Sequence, residues 1–206
     1  MNEQTSSQLV LLVRHALTEL NSEDRIRSIA DVDISAEGRR QTLATARQLV
    51  RIDVKKIFCS DLSRAEQTAE ILANQLFVDV EETRLLRDWD MGEMIGEKTD
   101  EVRTEIHYYI ENPRKSVPGG EPYGEFEKRA ADALRFLVAQ SKRMSPIVAV
   151  THSKVIEWIR CKVEGTARDA AKLEASKSVD PSGILALKVQ NGRITLYEPE
   201  KSQGVI

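Results

Sequence analysis

The chain of 206 residues is short of several things that mark other kinds of protein. It has two cysteines, Cys59 and Cys161, both in apolar runs and neither at metal-ligand spacing. A disulfide framework and a zinc site are therefore not expected, and both thiols read as buried and reduced. Positive charge does not predominate. Thirty basic against 33 acidic residues leave a net charge of −3, which gives no reason to expect a nucleic acid or an anionic membrane as partner. No apolar run approaches the roughly 20 residues that span a bilayer, and residues 1–8 form a polar tail without an apolar signal core. A cytoplasmic location is expected by default. No repeat, low-complexity stretch or linker divides the sequence, so one domain is expected over residues 1–206. Histidine occurs only three times, at His15, His107 and His152.

What is present is an alternation of short apolar runs with helical patterns. Leu9 to Val13, Ile57 to Cys59 and Ile147 to Val150 read as strands buried on both faces. Glu37 to Ile52 reads as a helix with Leu43, Ala46, Leu49 and Val50 on one face. Leu62 to Leu76, Phe126 to Arg143 and Lys154 to Val163 read as further helices. Residues 84–123 form an excursion with one short helix around Asp100 to Ile110. Asn191-Gly192 between Ile184–Val189 and Arg193–Tyr197 predicts a tight hairpin. The expected fold is α/β, a three-layer sandwich. Its central sheet is mostly parallel with an antiparallel edge, and helices cover both faces.

In open α/β sheets ligands bind beyond the carboxyl ends of the parallel strands. The first strand ends in Arg14-His15. The second ends in Ser60, with Arg64 in the first turn of the next helix. The third ends in Thr151-His152-Ser153. Each of these alone is weak, but topology brings two histidines and two arginines to one rim. That set suits a dianion. Arginine stays charged and donates two hydrogen bonds to a phosphate, and helix N-termini add N–H donors.

The spacing resembles a known family. Leu12-Val13-Arg14-His15-Ala16-Leu17-Thr18-Glu19-Leu20-Asn21 resembles the signature of the histidine phosphatase superfamily, the phosphoglycerate mutase-like proteins. Further matches follow in order: Asp33 to Gln41, Ser60 to Ala69, Leu86 to Gly96, Pro118-Gly119-Gly120-Glu121, and Val150-Thr151-His152-Ser153. The resemblance implies the corresponding fold and a phosphohistidine intermediate on His15. It implies that Arg14, Arg64 and His152 hold the phosphoryl oxygens, with Asn21 and Thr18 as further polar contacts. It also implies an acid on the 84–123 excursion that protonates the leaving oxygen and then activates water. The substrate is expected to be a small phosphorylated compound or a phosphoprotein. Neither cofactor nor metal is expected, because arginines supply the charge neutralisation. Oligomeric state is left open.

Three departures from the family pattern matter. Ala16 stands where glycine usually follows the nucleophile, at a cost of about 1 kcal/mol if the position needs a positive φ. Asp88 stands where glutamate is usual. It is the first choice for the acid, with Asp90 and Glu93 as neighbours to weigh. Ser153-Lys154 replaces small glycines after His152, and Lys154 is expected to face solvent. His107 reads as structural or exposed, Trp89 as either pocket lining or packing, and Glu121 as a brace for its loop. Hydrolysis is the leading expectation. A phosphoglycerate-type phosphomutase is the alternative, disfavoured because the family builds mutases with a longer chain and insertions. A weakly active phospho-ligand-binding protein is a third, motivated by Ala16 and Asp88.

Overall fold

The computed structural model describes residues 7–166 and 179–197. Strand β1 (Gln8–Arg14) is followed by a single helical turn, α1 (Glu19–Ser22), and by α2 (Ala36–Leu49), β2 (Lys56–Cys59), α3 (Ser63–Leu76) and β3 (Val80–Glu82). After the excursion come α4 (Arg103–Glu111), α5 (Tyr123–Arg143), β4 (Ile147–Thr151), α6 (Ser153–Glu164), β5 (Ile184–Gln190) and β6 (Arg193–Tyr197). The six strands form one sheet in the order β3-β2-β4-β1-β5-β6. The first four are mutually parallel, and β5 and β6 run antiparallel at the edge.

The pleat explains why these strands read as continuous apolar runs. Side chains alternate between faces, and here both faces are covered. Val10 and Leu12 of β1 pack with Phe126, Ala133 and Leu137 of α5 and Ile156 of α6. Leu11 and Val13 pack on the opposite side with Ala46 and Leu49 of α2 and Ala65, Ala69 and Leu72 of α3. Helices thus cover both faces, as expected. Both cysteines are buried, and burial pushes the Cys59 thiol up to about 12.

Some expectations are corrected. β3 was not anticipated: Val80-Glu81-Glu82 is short and acidic, as suits an edge strand. Gln8, expected in the polar tail, belongs to β1 and pairs with Val189. The short helix of the excursion starts at Arg103 rather than near Asp100. On α2, Leu43 and Val50 are exposed, and the buried face is Gly38, Thr42, Thr45, Ala46 and Leu49. The physical reason is that the threonine hydroxyls find partners inside. Thr42 donates to the Gly38 carbonyl at 2.9 Å, and Thr45 donates to the Ser182 carbonyl at 2.8 Å. The helix can then approach closely where leucine would hold it away. Gly38 sits at the tightest point. A Cβ there would lie 2.4 Å from the Leu17 carbonyl oxygen and 3.2 Å from the Ala16 methyl.

The 84–123 excursion folds over one end of the sheet. Gly92 has φ +46°, and a Cβ on it would lie 2.1 Å from the Pro118 carbonyl oxygen, so only glycine fits this crossing. The Pro118–Glu121 turn therefore lies directly on residues 90–92. Among the described residues no helix is long and apolar enough to cross a membrane.

Candidate active site

The carboxyl ends of β1, β2 and β4 converge as the alternation implies. His15 N–H donates to the Thr151 carbonyl at 2.8 Å, and Ser60 N–H donates to the Val150 carbonyl at 3.0 Å. His15 and His152, 137 positions apart in sequence, have ring centroids 5.3 Å apart. Both are buried, as is Arg64.

The protonation of each imidazole follows from its partners. His15 Nδ1 lies 2.8 Å from the Ala16 carbonyl oxygen. A carbonyl only accepts, so Nδ1 carries the proton and Nε2 holds the free lone pair. Burial, with Arg64 and Arg14 nearby, holds the His15 pKa well below its usual range despite that bond, so the ring is neutral at pH 7. His152 Nδ1 lies 3.1 Å from Arg64 Nη2. A guanidinium only donates, so Nδ1 accepts and Nε2–H donates to Ser60 Oγ at 2.9 Å. Burial and Arg64 depress its pKa as well.

Arg64 is fixed on several sides. Nη1 donates to the Ala30 carbonyl at 2.8 Å, and Nη2 donates to the Ser28 carbonyl at 2.5 Å. Its Nε is buried and without a partner. Arg14 Nη1 donates to the Val179 carbonyl at 2.8 Å. Ala16 is not strained: it is absent from the residues of positive φ, and its N–H donates to Thr68 Oγ1 at 2.9 Å. The cost considered for alanine at this position does not arise. Thr18 is buried and caps α1, its hydroxyl donating to Asn21 Oδ1 at 2.9 Å. The Asn21 carbonyl is thereby engaged on the protein side, and its Nδ2 amide remains for a ligand.

Of the three acid candidates, Asp88 is the one inside. It is buried, with Oδ2 4.0 Å from Arg64 Nη2 and Oδ1 accepting from Trp89 N–H at 3.0 Å. Burial raises its pKa, and Arg64 opposes the rise. Asp90 is half-buried and accepts from Gly92 N–H at 3.0 Å, and Glu93 is exposed. Glu121 does brace its loop. It pairs with both terminal nitrogens of Arg129 and accepts from Asp90 N–H at 3.0 Å. Arg129 Nη2 also donates to the Asp88 carbonyl at 2.8 Å. Trp89 is fully buried, and its indole N–H donates to the Glu121 carbonyl at 3.1 Å, which makes it a packing residue. Lys154, expected in solvent, is half-buried and pairs with Glu157 at 3.1 Å. His107 is half-buried on α4.

Several residues at the site escape a sequence reading. Arg27 and Ser28 lie in a loop without periodicity, and Ser28 has φ 49°. The Ser28 hydroxyl bridges the Trp89 carbonyl and Met91 N–H, both at 2.7 Å. Arg129 looks like any charged residue of a long helix, and its signal is the glutamate eight positions earlier in the Gly-Gly-Glu turn. Among the described residues, no group of three or more His, Cys, Asp or Glu side chains is arranged to hold a metal ion. The arrangement offers a neutral, directed imidazole lone pair, fixed cations for an oxyanion, and a buried carboxyl group whose pKa burial raises.

Comparison with known proteins bears on the family and the fold. The pattern of the histidine phosphatase superfamily (branch 1) matches residues 10–202. Phosphoglycerate mutase-like protein 4 of Arabidopsis thaliana is 29% identical over 172 residues, covering 80% of this chain and 74% of the relative. A protein named probable phosphoglycerate mutase GpmB, from Salmonella choleraesuis, is 30% identical over 148 residues, covering 69% and 68%. Among solved structures, a mycobacterial glucosyl-3-phosphoglycerate phosphatase superposes with a TM-score of 0.77 at 22% identity, covering 93% of this chain and 97% of its own. An alpha-ribazole phosphatase from Shigella flexneri gives 0.77 at 19%, covering 96% and 99%. These last two likenesses show the fold. With the family pattern spanning nearly the whole sequence, the chain belongs to branch 1 of the histidine phosphatase superfamily.

Proposed function

We propose that this protein is a phosphohydrolase that cleaves a phosphomonoester through a phosphohistidine on His15. The observation that carries the reading is the Nδ1 bond from His15 to the Ala16 carbonyl, which leaves Nε2 as the nucleophilic atom beside Arg14, Arg64 and His152. In the first step Nε2 bonds to phosphorus, the ester P–O bond breaks, and Asp88 gives its proton to the leaving oxygen. In the second, the Asp88 carboxylate takes a proton from water, whose oxygen attacks phosphorus. The P–N bond breaks and inorganic phosphate leaves. Arg14, Arg64 and the Nδ2 amide of Asn21 hold the phosphoryl oxygens, where fixed donors lower the barrier as charge develops. His152 turns its Nε2–H toward Ser60 in this structure and reaches the phosphoryl group by releasing that bond.

The test is labelling. Incubation with a phosphoester labelled at phosphorus should trap one phosphoryl group per chain, stable to base and labile to acid, and His15→Gln should trap none. A wild-type protein that neither takes up label nor releases phosphate sinks the reading. Turnover should also persist in EDTA, since the charge neutralisation assigned here comes from guanidinium groups.

A second reading is a phosphomutase, favoured by the phosphoglycerate mutase names of the curated relatives. It predicts transfer of the label to a second substrate molecule rather than to water. The family's non-catalytic option, a binder of phosphorylated ligands, loses one of its two motives, because Ala16 is unstrained.

A further inference from the structure

Among the described residues, five other than glycine have a positive φ: Asp24, Ser28, Phe77, Ser182 and Asn191. Asp24, Phe77 and Asn191 are exposed, whereas Ser28 and Ser182 are buried. In this region an L-residue brings its Cβ against the following carbonyl oxygen, and the conformation persists only where its surroundings hold it. Ser182 is held by the sheet. Its N–H donates to the Arg14 carbonyl, and Arg14 N–H donates to the Gly183 carbonyl, both at 3.1 Å, which extends the β1–β5 pairing. Ser28 is held differently, by bonds to two parts of the candidate site.

The Ser28 carbonyl accepts from Arg64 Nη2 at 2.5 Å. The Ser28 hydroxyl donates to the Trp89 carbonyl and accepts from Met91 N–H, both at 2.7 Å. Trp89 N–H is in turn the donor to Asp88 Oδ1 at 3.0 Å. One residue thus clamps both the Arg64 guanidinium and the backbone that carries Asp88, two groups that stand 4.0 Å apart. Arg129 and Thr151 hold the same loop at the Asp88 and Leu86 carbonyls, and Ser28 links it to Arg64. Glycine, the residue best suited to this φ, would keep the carbonyl bond to Arg64 but has no hydroxyl. The serine keeps an unfavourable backbone and supplies two bonds to the acid loop.

We propose that the Ser28 hydroxyl is a positioning group for proton delivery: it fixes the Asp88 carboxyl at the distance from Arg64 that places it on the leaving oxygen of a phosphoryl group held there. The proposal rests on the phosphohydrolase reading above and adds to it the residue that couples phosphoryl holding to the acid. A catalytic group misplaced by about 1 Å can lose about 10²-fold in rate, so two bonds that set its backbone are enough to matter.

The test compares Ser28→Gly with Ser28→Ala. Both delete the hydroxyl, and only glycine relieves the φ of 49°. Urea midpoints should therefore place the alanine variant below the glycine variant. Function should not follow that order. The test ratio is kcat/KM for 2,4-dinitrophenyl phosphate, whose leaving group needs no proton, over kcat/KM for phenyl phosphate. It should rise about tenfold in both variants alike. A ratio between substrates is independent of how much of a variant preparation is folded. The proposal is overturned if the ratio keeps its wild-type value in either variant, or if it rises only in the less stable alanine variant, as a merely structural role would have it. If the wild type releases phosphate from neither ester, the hydrolase reading fails by itself. The placing of Asp88 is then read by carboxyl-carbon NMR titration, with Asp88→Asn assigning the signal. Burial holds the Asp88 pKa up, so a carboxyl freed from its place should titrate lower in both variants. A midpoint equal to that of the wild type overturns the proposal.

Discussion

The proposed phosphoryl pocket and the proposed acid loop are built in opposite ways. The pocket stands on the ends of β1, β2 and β4, paired in register through the sheet, and its histidines and Arg64 are held by backbone carbonyls and by each other. The acid loop has no regular element at Asp88. It is held by Thr151 Oγ1 donating to the Leu86 carbonyl at 2.7 Å, by Ser28, and by the Glu121–Arg129 pair. Under the proposed mechanism the difference means that phosphorus capture is set by topology, whereas proton delivery hangs on a few side-chain bonds. The two should respond differently to mutation.

Leaving-group chemistry separates them. The largest effect should come from Asp88→Asn, which should lower kcat for an alkyl phosphate by about 10²- to 10⁴-fold. With 2,4-dinitrophenyl phosphate, whose leaving group needs no proton, His15 should still be phosphorylated, and labelled enzyme should accumulate. Equal loss of the labelling step for both substrates would break the division between pocket and loop. Next, Arg64→Met should reduce phosphorylation by both substrates alike, by about 10²- to 10³-fold, as expected when a fixed oxyanion donor is lost. A loss confined to the alkyl ester would move Arg64 to the acid's side. Smaller again, Arg129→Met frees the Asp88 carbonyl and the Glu121 carboxylate. Loosening a positioned acid in this way should cost about tenfold on the alkyl ester and little on the dinitrophenyl ester.

The mildest test is stability against pH. His15 and His152 are held neutral in the folded chain, while in the unfolded chain they take up protons as pH falls through about 6.5. Folding stability is therefore full above that value and is lost below it. From pH 7 to pH 5.5 the loss should be on the order of 1 kcal/mol per histidine, read from urea midpoints, and His152→Gln should remove about half of the slope. Asp88 acts in the other sense. Its raised pKa means that the folded chain binds the proton first, so its contribution is present at low pH and fades as pH rises through the folded value. A stability profile flat between pH 7 and 5.5 would contradict neutral pocket histidines.

How much of this was legible in the sequence follows the same division. Arg14, His15, Arg64 and His152 were readable because uninterrupted apolar runs identify parallel strands, and the ends of such strands share a rim. Asp88 was readable only through the family resemblance, since nothing in the spacing of Asp88, Asp90 and Glu93 says which is buried. Arg27 and Arg129 were not readable. One lies in a loop between positive-φ residues Asp24 and Ser28, and the other is a charge on a helix whose partner is set by how a turn folds back. The α2 stripe was misread for a related reason: hydrophobicity favours Leu43 over Thr42, but the hydroxyl of Thr42 has a carbonyl to meet.

The contact of Gly38 with Leu17 and Ala16 has a consequence for anyone who would redesign this protein. The turn that carries His15 is pressed against the first turn of α2 with no space for a single methyl group between them. Enlarging the candidate site from that side would displace the His15 ring before it created room. New substrates are to be accommodated from the excursion over residues 84–123, where loops can be rebuilt without touching the strand ends. The molecule thus has one wall that engineering should leave alone and one that it can replace.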